Sequence, residues 1–247
     1  MNEAIEAKVL GGKLHNLVLE DTTIETFVNQ SDQAGMASTG VLAAALGLSG
    51  QAAGMVAMSL DEMRELVVKA SFDVAGERVE ALLWNFPYYE GTEVQVVVDG
   101  LTASGAHMGF AVVAPTEGTG VFYPHVSAGR IAHRKRVIKW SAIAGGVISS
   151  FTYFLILITA FFAGNVRGQE LSNLMSITAL GAGAFFLITL IIGYRLGRRF
   201  DVFISMAEKI FLALGWKDIE RIDLRKVTKQ KRKPTDPPAL GDTFFRY

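Results

Sequence analysis

The sequence predicts an α+β membrane protein. It reads as a small N-terminal β-barrel-like domain of the OB or SH3-like kind with an Ala/Gly-rich helical insertion, then a two-helix transmembrane hairpin and a C-terminal amphipathic helix. Three observations carry that prediction. Residues 140–164 and 171–194 contain no charged side chain, and each run exceeds the roughly 20 apolar residues with which an α-helix crosses a hydrocarbon core of about 30 Å. Between residues 64 and 126, short apolar runs alternate with polar positions and are separated by Gly-containing turns, which is the pattern of strands. The charge is divided as well: residues 1–129 carry 5 Lys+Arg against 16 Asp+Glu, and residues 130–247 carry 19 against 8, although the whole chain is neutral.

A length of 247 residues leaves room for one modest domain besides the hairpin, and residues 1–129 supply it. Residues 4–20 read as two short strands hinged at Gly11 and Gly12, with Val9, Leu10, Leu14, Leu17 and Leu19 as apolar positions. Residues 21–33 are polar and read as a loop or a short irregular strand. Residues 34–60 are uncharged, rich in Gly, Ala, Ser and Met, and bounded by Asp32 and Asp61. Three readings of this stretch stay open: a helix or helical hairpin packed on the barrel, a weakly structured loop, or a latent third membrane segment. The last would use Gly50 and Gly54, whose GxxxG spacing allows close helix contact.

The remaining strands follow at short intervals. Leu66, Val68, Ala70 and Phe72 share one parity, and a short turn at Ala75, Gly76 and Glu77 leads into Val79, Ala81 and Leu83. Val94, Val96 and Val98 mark the next strand, a turn at Ser104 and Gly105 leads to HMGFAVVAP, and GVFYPHV is closed by Pro124. About six short strands with one insertion suit a small barrel. Such barrels host unrelated functions, so the fold alone names none.

The hairpin occupies residues 137–196. Arg130, Arg134, Lys135, Arg136 and Lys139 precede the first span, Arg195, Arg198 and Arg199 follow the second, and the 165–170 loop has only Arg167 against Glu170. Lys and Arg near span ends stay cytoplasmic, so both long ends are expected inside and the loop outside. Trp140 and Tyr194 stand where interfacial anchors belong. Gly145, Gly146, Gly181 and Gly183 would let the helices approach closely. Neither span holds an ionisable residue, which argues against a proton relay or a coupled transporter. Beyond them, residues 200–247 begin with Val202, Phe203, Met206, Ile210, Phe211 and Leu214 at helical spacing. This reads as an amphipathic helix at the interface, or docked on the barrel, followed by a basic, loosely ordered tail.

Other chemistry is poorly supplied. With no Cys there is no disulfide framework, thiolate nucleophile or thiolate zinc site. His15, His107, His125 and His133 fall in no metal-ligand spacing, and no P-loop, GxSxG or GxGxxG stands between a strand and a helix. No enzyme, metal or cofactor is expected. The acidic front half argues against nucleic acid as a partner. MNEAIEAK lacks the apolar core of a secretory signal, so the first domain is expected to stay in the cytoplasm of the producing cell.

Tyr123, Pro124 and His125, followed by Ser127, Gly129, Arg130, Ala132 and His133 and then by a basic run and a span, form the most distinctive sequence in the chain. Together with the preceding GxEVxVV and AVVAP strands and the Ala/Gly-rich insertion, it resembles a family of small bacterial membrane proteins assigned as type VI secretion system effectors. The likeness runs to the second span and fades in the tail. It implies an antibacterial toxin delivered by a contractile apparatus, with a secretion-apparatus carrier and a cognate immunity protein as partners. It brings no catalytic residues. The expectation is a protein that inserts in the target cell's inner membrane and permeabilises it as a homo-oligomer, with the lipid bilayer as its main partner. The alternative is a resident inner-membrane scaffold or immunity-type protein whose barrel binds another protein.

Overall fold

The structure, a computed structural model, describes residues 7–25, 64–162 and 168–247. The 34–60 stretch, with Gly50 and Gly54, and the loop residue Arg167 lie outside the described residues. The chain is α+β: a mixed β-sheet comes first and helices follow, two of them long and apolar enough to span a membrane. It divides into two compact units, Leu10–Pro124 and a second made of Met1–Val9 with His125–Tyr247.

The sheet contains β1 (Lys8–Lys13), β2 (His15–Glu25), β3 (Arg64–Val74), β4 (Glu77–Leu83), β5 (Glu93–Leu101), β6 (His107–Ala114) and β7 (Thr119–Phe122). Their order is β1-β5-β6-β4-β3-β2, with β7 on β6. Ala75 and Gly76 take φ of 54° and 81° and Glu77 already opens β4, so the β3–β4 connection is a two-residue turn, one residue shorter than expected, with both central residues left-handed, whose twist matches the strands. β6 is shared: its start runs parallel to β4, from Val79↔His107 to Ala81↔Gly109, and its end pairs antiparallel with β7. Gly109 allows that parallel approach, because a Cβ there would lie 2.9 Å from the Ala81 Cβ. Phe72, Val74, Val79, Leu83, Val94, Val96 and Val98 are buried together.

Two other details differ from the expectations. The break between β1 and β2 falls at Leu14 and Asn16, not at Gly11 and Gly12. Leu14 is wholly buried and donates its N–H to the Thr92 carbonyl at 3.0 Å, and Asn16 turns with φ 52°. Gly12 instead lets β1 pass close to the β3–β4 turn, with the Ala75 nitrogen 3.2 Å from where its Cβ would be. Along β3, Ala70 and Phe72 point inward as expected, but Val67 is buried and Leu66 is 78% exposed.

The second unit holds α1 (Arg130–Phe162), α2 (Gln169–Gly197), a 3-10 turn at Arg198–Phe200, α3 (Asp201–Ala213), a 3-10 turn at Ile219–Arg221, α4 (Leu224–Lys231) and β8 (Phe245–Arg246). α1 begins ten residues ahead of the apolar run because the basic flank RIAHRKRVIK contains good helix formers and no breaker. α3 is amphipathic as expected. Ile204, Ala207, Ile210 and Phe211 are buried, Phe211 stacks on Trp216 with centroids 5.2 Å apart, and Val202 and Leu212 are exposed. The tail is ordered, contrary to expectation. Trp216 packs on Tyr247, Arg246 pairs with Asp236 at 2.5 Å, and the buried Thr228 hydroxyl takes the Arg246 N–H at 2.9 Å.

Candidate functional site

The candidate site is the α1–α2 hairpin with its charged base. Along α1, Val137, Ser141, Gly145 and Ser149 recur every four residues, which lines them up as one ridge of a helix. Each of the first three meets α2 at a small residue or a small space. A Cβ on Gly197 would lie 2.9 Å from Val137, one on Gly193 would collide with Ser141, and one on Gly145 would lie 3.2 Å from Phe186 and Thr189. Of the glycines expected to pack, Gly145 lies in this seam. Gly146, Gly181 and Gly183 have nothing within 4 Å of a Cβ position. Gly193 and Gly197 were missed, although their GxxxG spacing carries the signal that was looked for elsewhere.

Away from the seam the hairpin is bare. Phe151, Phe154, Ile158, Phe161, Ile177, Leu180, Ile191 and Ile192 are exposed. In the most apolar windows 11% of the first helix and none of the second is buried. A core helix of a soluble protein would be mostly covered. Several hydroxyls in these runs are silenced by their own helix: Thr159 donates to Ile156 at 2.9 Å, Ser176 to Ser172 at 2.9 Å, Thr178 to Leu174 at 2.7 Å and Thr189 to Phe185 at 2.9 Å. Such back-bonding lets a hydroxyl sit among hydrocarbon without an unmet donor. Ser149 differs: its Oγ is buried and has no partner among the described residues. It borders an apolar groove of about 430 Å³ between the helices, with Gly146, Ser150, Ala182, Gly183 and Phe186.

The base of the hairpin sorts its cations into two sets. Arg130 is held by Glu208, which accepts both the backbone N–H at 2.8 Å and the guanidinium at 3.2 Å. A carboxylate there also meets the positive end of the α1 dipole. Arg136 lies 2.5 Å from Asp223 as an ion pair, though without hydrogen-bond geometry. These two pairs fasten α3 and the start of α4 to α1. Among the described residues Arg134, Lys135, Lys139 and Arg195 are exposed and make no ion pair, Arg199 is exposed, and Arg198 has a loose contact with Asp201 at 3.9 Å. Trp140 and Tyr194 are exposed beside them, at 62% and 43%.

The residues of the distinctive motif ahead of α1 are each held within their own unit. Tyr123 donates its N–H to Phe110 at 2.8 Å. His125, at φ 66°, packs edge-on against Phe203 with centroids 5.2 Å apart. The Ser127 carbonyl accepts from the Leu224 N–H at 2.9 Å, and a Cβ on Gly129 would collide with the Ile219 carbonyl. His133, ahead of the apolar run, lies 3.2 Å from the Gly197 carbonyl and faces Phe200. Burial holds its imidazole below the ordinary value; Arg136 and Arg134 act the same way, while the Gly197 carbonyl and Asp201 oppose them. The sequence marks these residues as distinctive without a role, because the partners of His125, Ser127, Gly129 and His133 lie more than 60 positions further along the chain.

Among the described residues no group of three or more His, Cys, Asp or Glu is placed to hold a metal ion. No protein-family model, curated protein or solved structure matches the chain.

Proposed function

We propose that the chain is an antibacterial effector of the type VI secretion kind that inserts its hairpin in a target cell's inner membrane and permeabilises it as an oligomer. The observation that carries this reading is the pair of helices whose charge-free apolar runs are left bare. Water penalises that surface by roughly 25 cal/mol per Å², and a bilayer removes the penalty. Two helices enclose no pore, so several copies must assemble. The groove beside Ser149, lined by small residues, suits helix-to-helix contact between copies. The basic ends of both helices support an orientation with both termini cytoplasmic. The sheet, in turn, is read as a small barrel of the OB or SH3-like kind. β1 and β2 stand at opposite ends of the strand order yet are joined through Leu14 alone, so one continuous run of chain serves both edges.

A second reading, a resident scaffold or immunity-type protein, is favoured by the large apolar side chains on the surface of the sheet unit. Leu66 and Tyr89 are 78% and 81% exposed, as a partner-binding face would be. Expression separates the two. An effector stops growth and depolarises the membrane of a host that lacks its neutraliser, whereas a scaffold does neither. Normal growth at full membrane loading would sink the effector reading.

A further inference from the structure

Arg225 and Lys229 stand one turn apart on one face of α4, and Arg232 follows the helix directly. All three border a single crevice of about 230 Å³, together with Leu240 and Asp242. Each of the three is exposed, and among the described residues Arg225 and Lys229 make no ion pair. Their placement costs the helix free energy. Like charges four residues apart repel, and Arg225 lies in the first turn of α4, where the helix dipole opposes a cation. Asp242 is the one acid bordering the crevice, and it forms an ion pair with none of the three. The surroundings are fixed. The buried Thr228 hydroxyl donates to the Leu224 carbonyl at 2.7 Å and accepts the Arg246 N–H at 2.9 Å. The Arg232 Nη2 donates to the Pro237 and Pro238 carbonyls at 3.3 and 3.4 Å, and the rest of its N–H fork remains for a ligand.

An anion that meets three cations at separate points needs several oxygens. A planar carboxylate offers two, a phosphoryl group offers three, and guanidinium forks match phosphate with paired N–H donors. One water takes about 30 Å³ of liquid, so the crevice admits a phosphoryl group and part of the molecule that bears it. We propose that the crevice formed by Arg225, Lys229 and Arg232 binds a phosphate ester through its phosphoryl oxygens. Two sources share that chemistry: a free phosphorylated small molecule and the headgroup of an anionic lipid. Asp223, the N-cap of α4, pairs with Arg136 on α1, which holds the start of α4 at the base of the hairpin. The anion site itself does not depend on membrane insertion.

The test is equilibrium dialysis of radiolabelled glycerol 3-phosphate against the full chain in detergent at pH 8. One saturable site per chain is expected. Arg225→Gln with Lys229→Gln should weaken it at least about tenfold, the size of one hydrogen bond to a charged group. Lys217→Gln with Arg221→Gln, which removes the same charge from exposed positions outside the crevice, should leave it unchanged. Asp242→Asn should tighten it about fivefold, the effect of one unit charge at about 4 Å in water. Absence of saturable binding, or equal loss in both double variants, overturns the site. If Arg225→Gln with Lys229→Gln does not fold, Asp242→Asn decides, and unchanged or weaker binding there overturns the site as well. Dihexanoyl phosphatidic acid presents the same phosphate with acyl chains attached. Tighter binding of it that the Arg225→Gln, Lys229→Gln variant loses assigns the site to a lipid headgroup. Binding no tighter than that of glycerol 3-phosphate assigns it to a free ester.

Discussion

Asn16 is held in the left-handed region at φ 52° by its neighbours across the ladder. Its Nδ2 donates to Asp73 at 2.6 Å, and Arg78 donates to the other Asp73 oxygen at 3.1 Å and to the Asn16 carbonyl at 3.2 Å. The hydrogen bond from Asn16, then that from Arg78, holds the Asp73 carboxyl below the ordinary carboxylate range. A depressed carboxylate contributes stability that is present above its unfolded value near 3.9 and is lost as pH falls through the lower folded value. Asp73→Asn should therefore lower stability at neutral pH by about 1 kcal/mol, discounted for partial exposure. The gap in melting temperature between wild type and variant should close below about pH 4; a gap that persists there would place the effect elsewhere. In the hairpin seam, Gly193→Val drives a branched side chain into Ser141 and should cost about 1–3 kcal/mol by overpacking. Ser149→Ala removes a buried hydroxyl that has no partner among the described residues, so it should be neutral or stabilising. Thermal unfolding in detergent reads both, and a destabilised Ser149→Ala would mean that the hydroxyl has a partner after all.

β2 and β3 stay paired as far as Glu25↔Arg64. Much at this scale was legible because it is local. The Ala75–Gly76 turn declares itself by its small residues, and the two helices by runs of uncharged residues longer than a bilayer requires. What was not legible depends on distant partners. Gly11 and Gly12 look like a hinge, yet Gly12 serves a close approach to Ala75. The parallel β4–β6 pairing has no local signature. The basic tail looks unstructured by composition, yet it is ordered by Thr228, Asp236 and Trp216. At the site, the cations flanking the apolar runs were visible in sequence, but the pairing of Arg130 and Arg136 was not, because Glu208 and Asp223 lie more than 70 residues from their partners.

Across the whole molecule, an acidic sheet unit and a basic helical unit cancel in the total charge, yet the two carry different duties: one buries a core, and the other leaves apolar helices bare. If the bare helices act by entering a bilayer, a charge on their lipid side should abolish the activity without touching the sheet. Phe151 is 67% exposed near the middle of the first apolar run. An aspartate at mid-membrane costs about 2.5–3.5 kcal/mol on insertion scales, which shifts a marginal insertion equilibrium by roughly a hundredfold. Phe151→Asp should therefore reduce dye leakage from vesicles by about that factor. The far-ultraviolet signal of the strands and the Asp73-dependent melt should remain. The order of the reaction adds an independent arm. Because two helices cannot enclose a passage, the leakage rate of the wild type should rise more steeply than the first power of the protein-to-lipid ratio. A first-order dependence, or leakage undiminished in Phe151→Asp, would mean that any damage comes from surface binding of the basic unit and not from an assembled ring of hairpins.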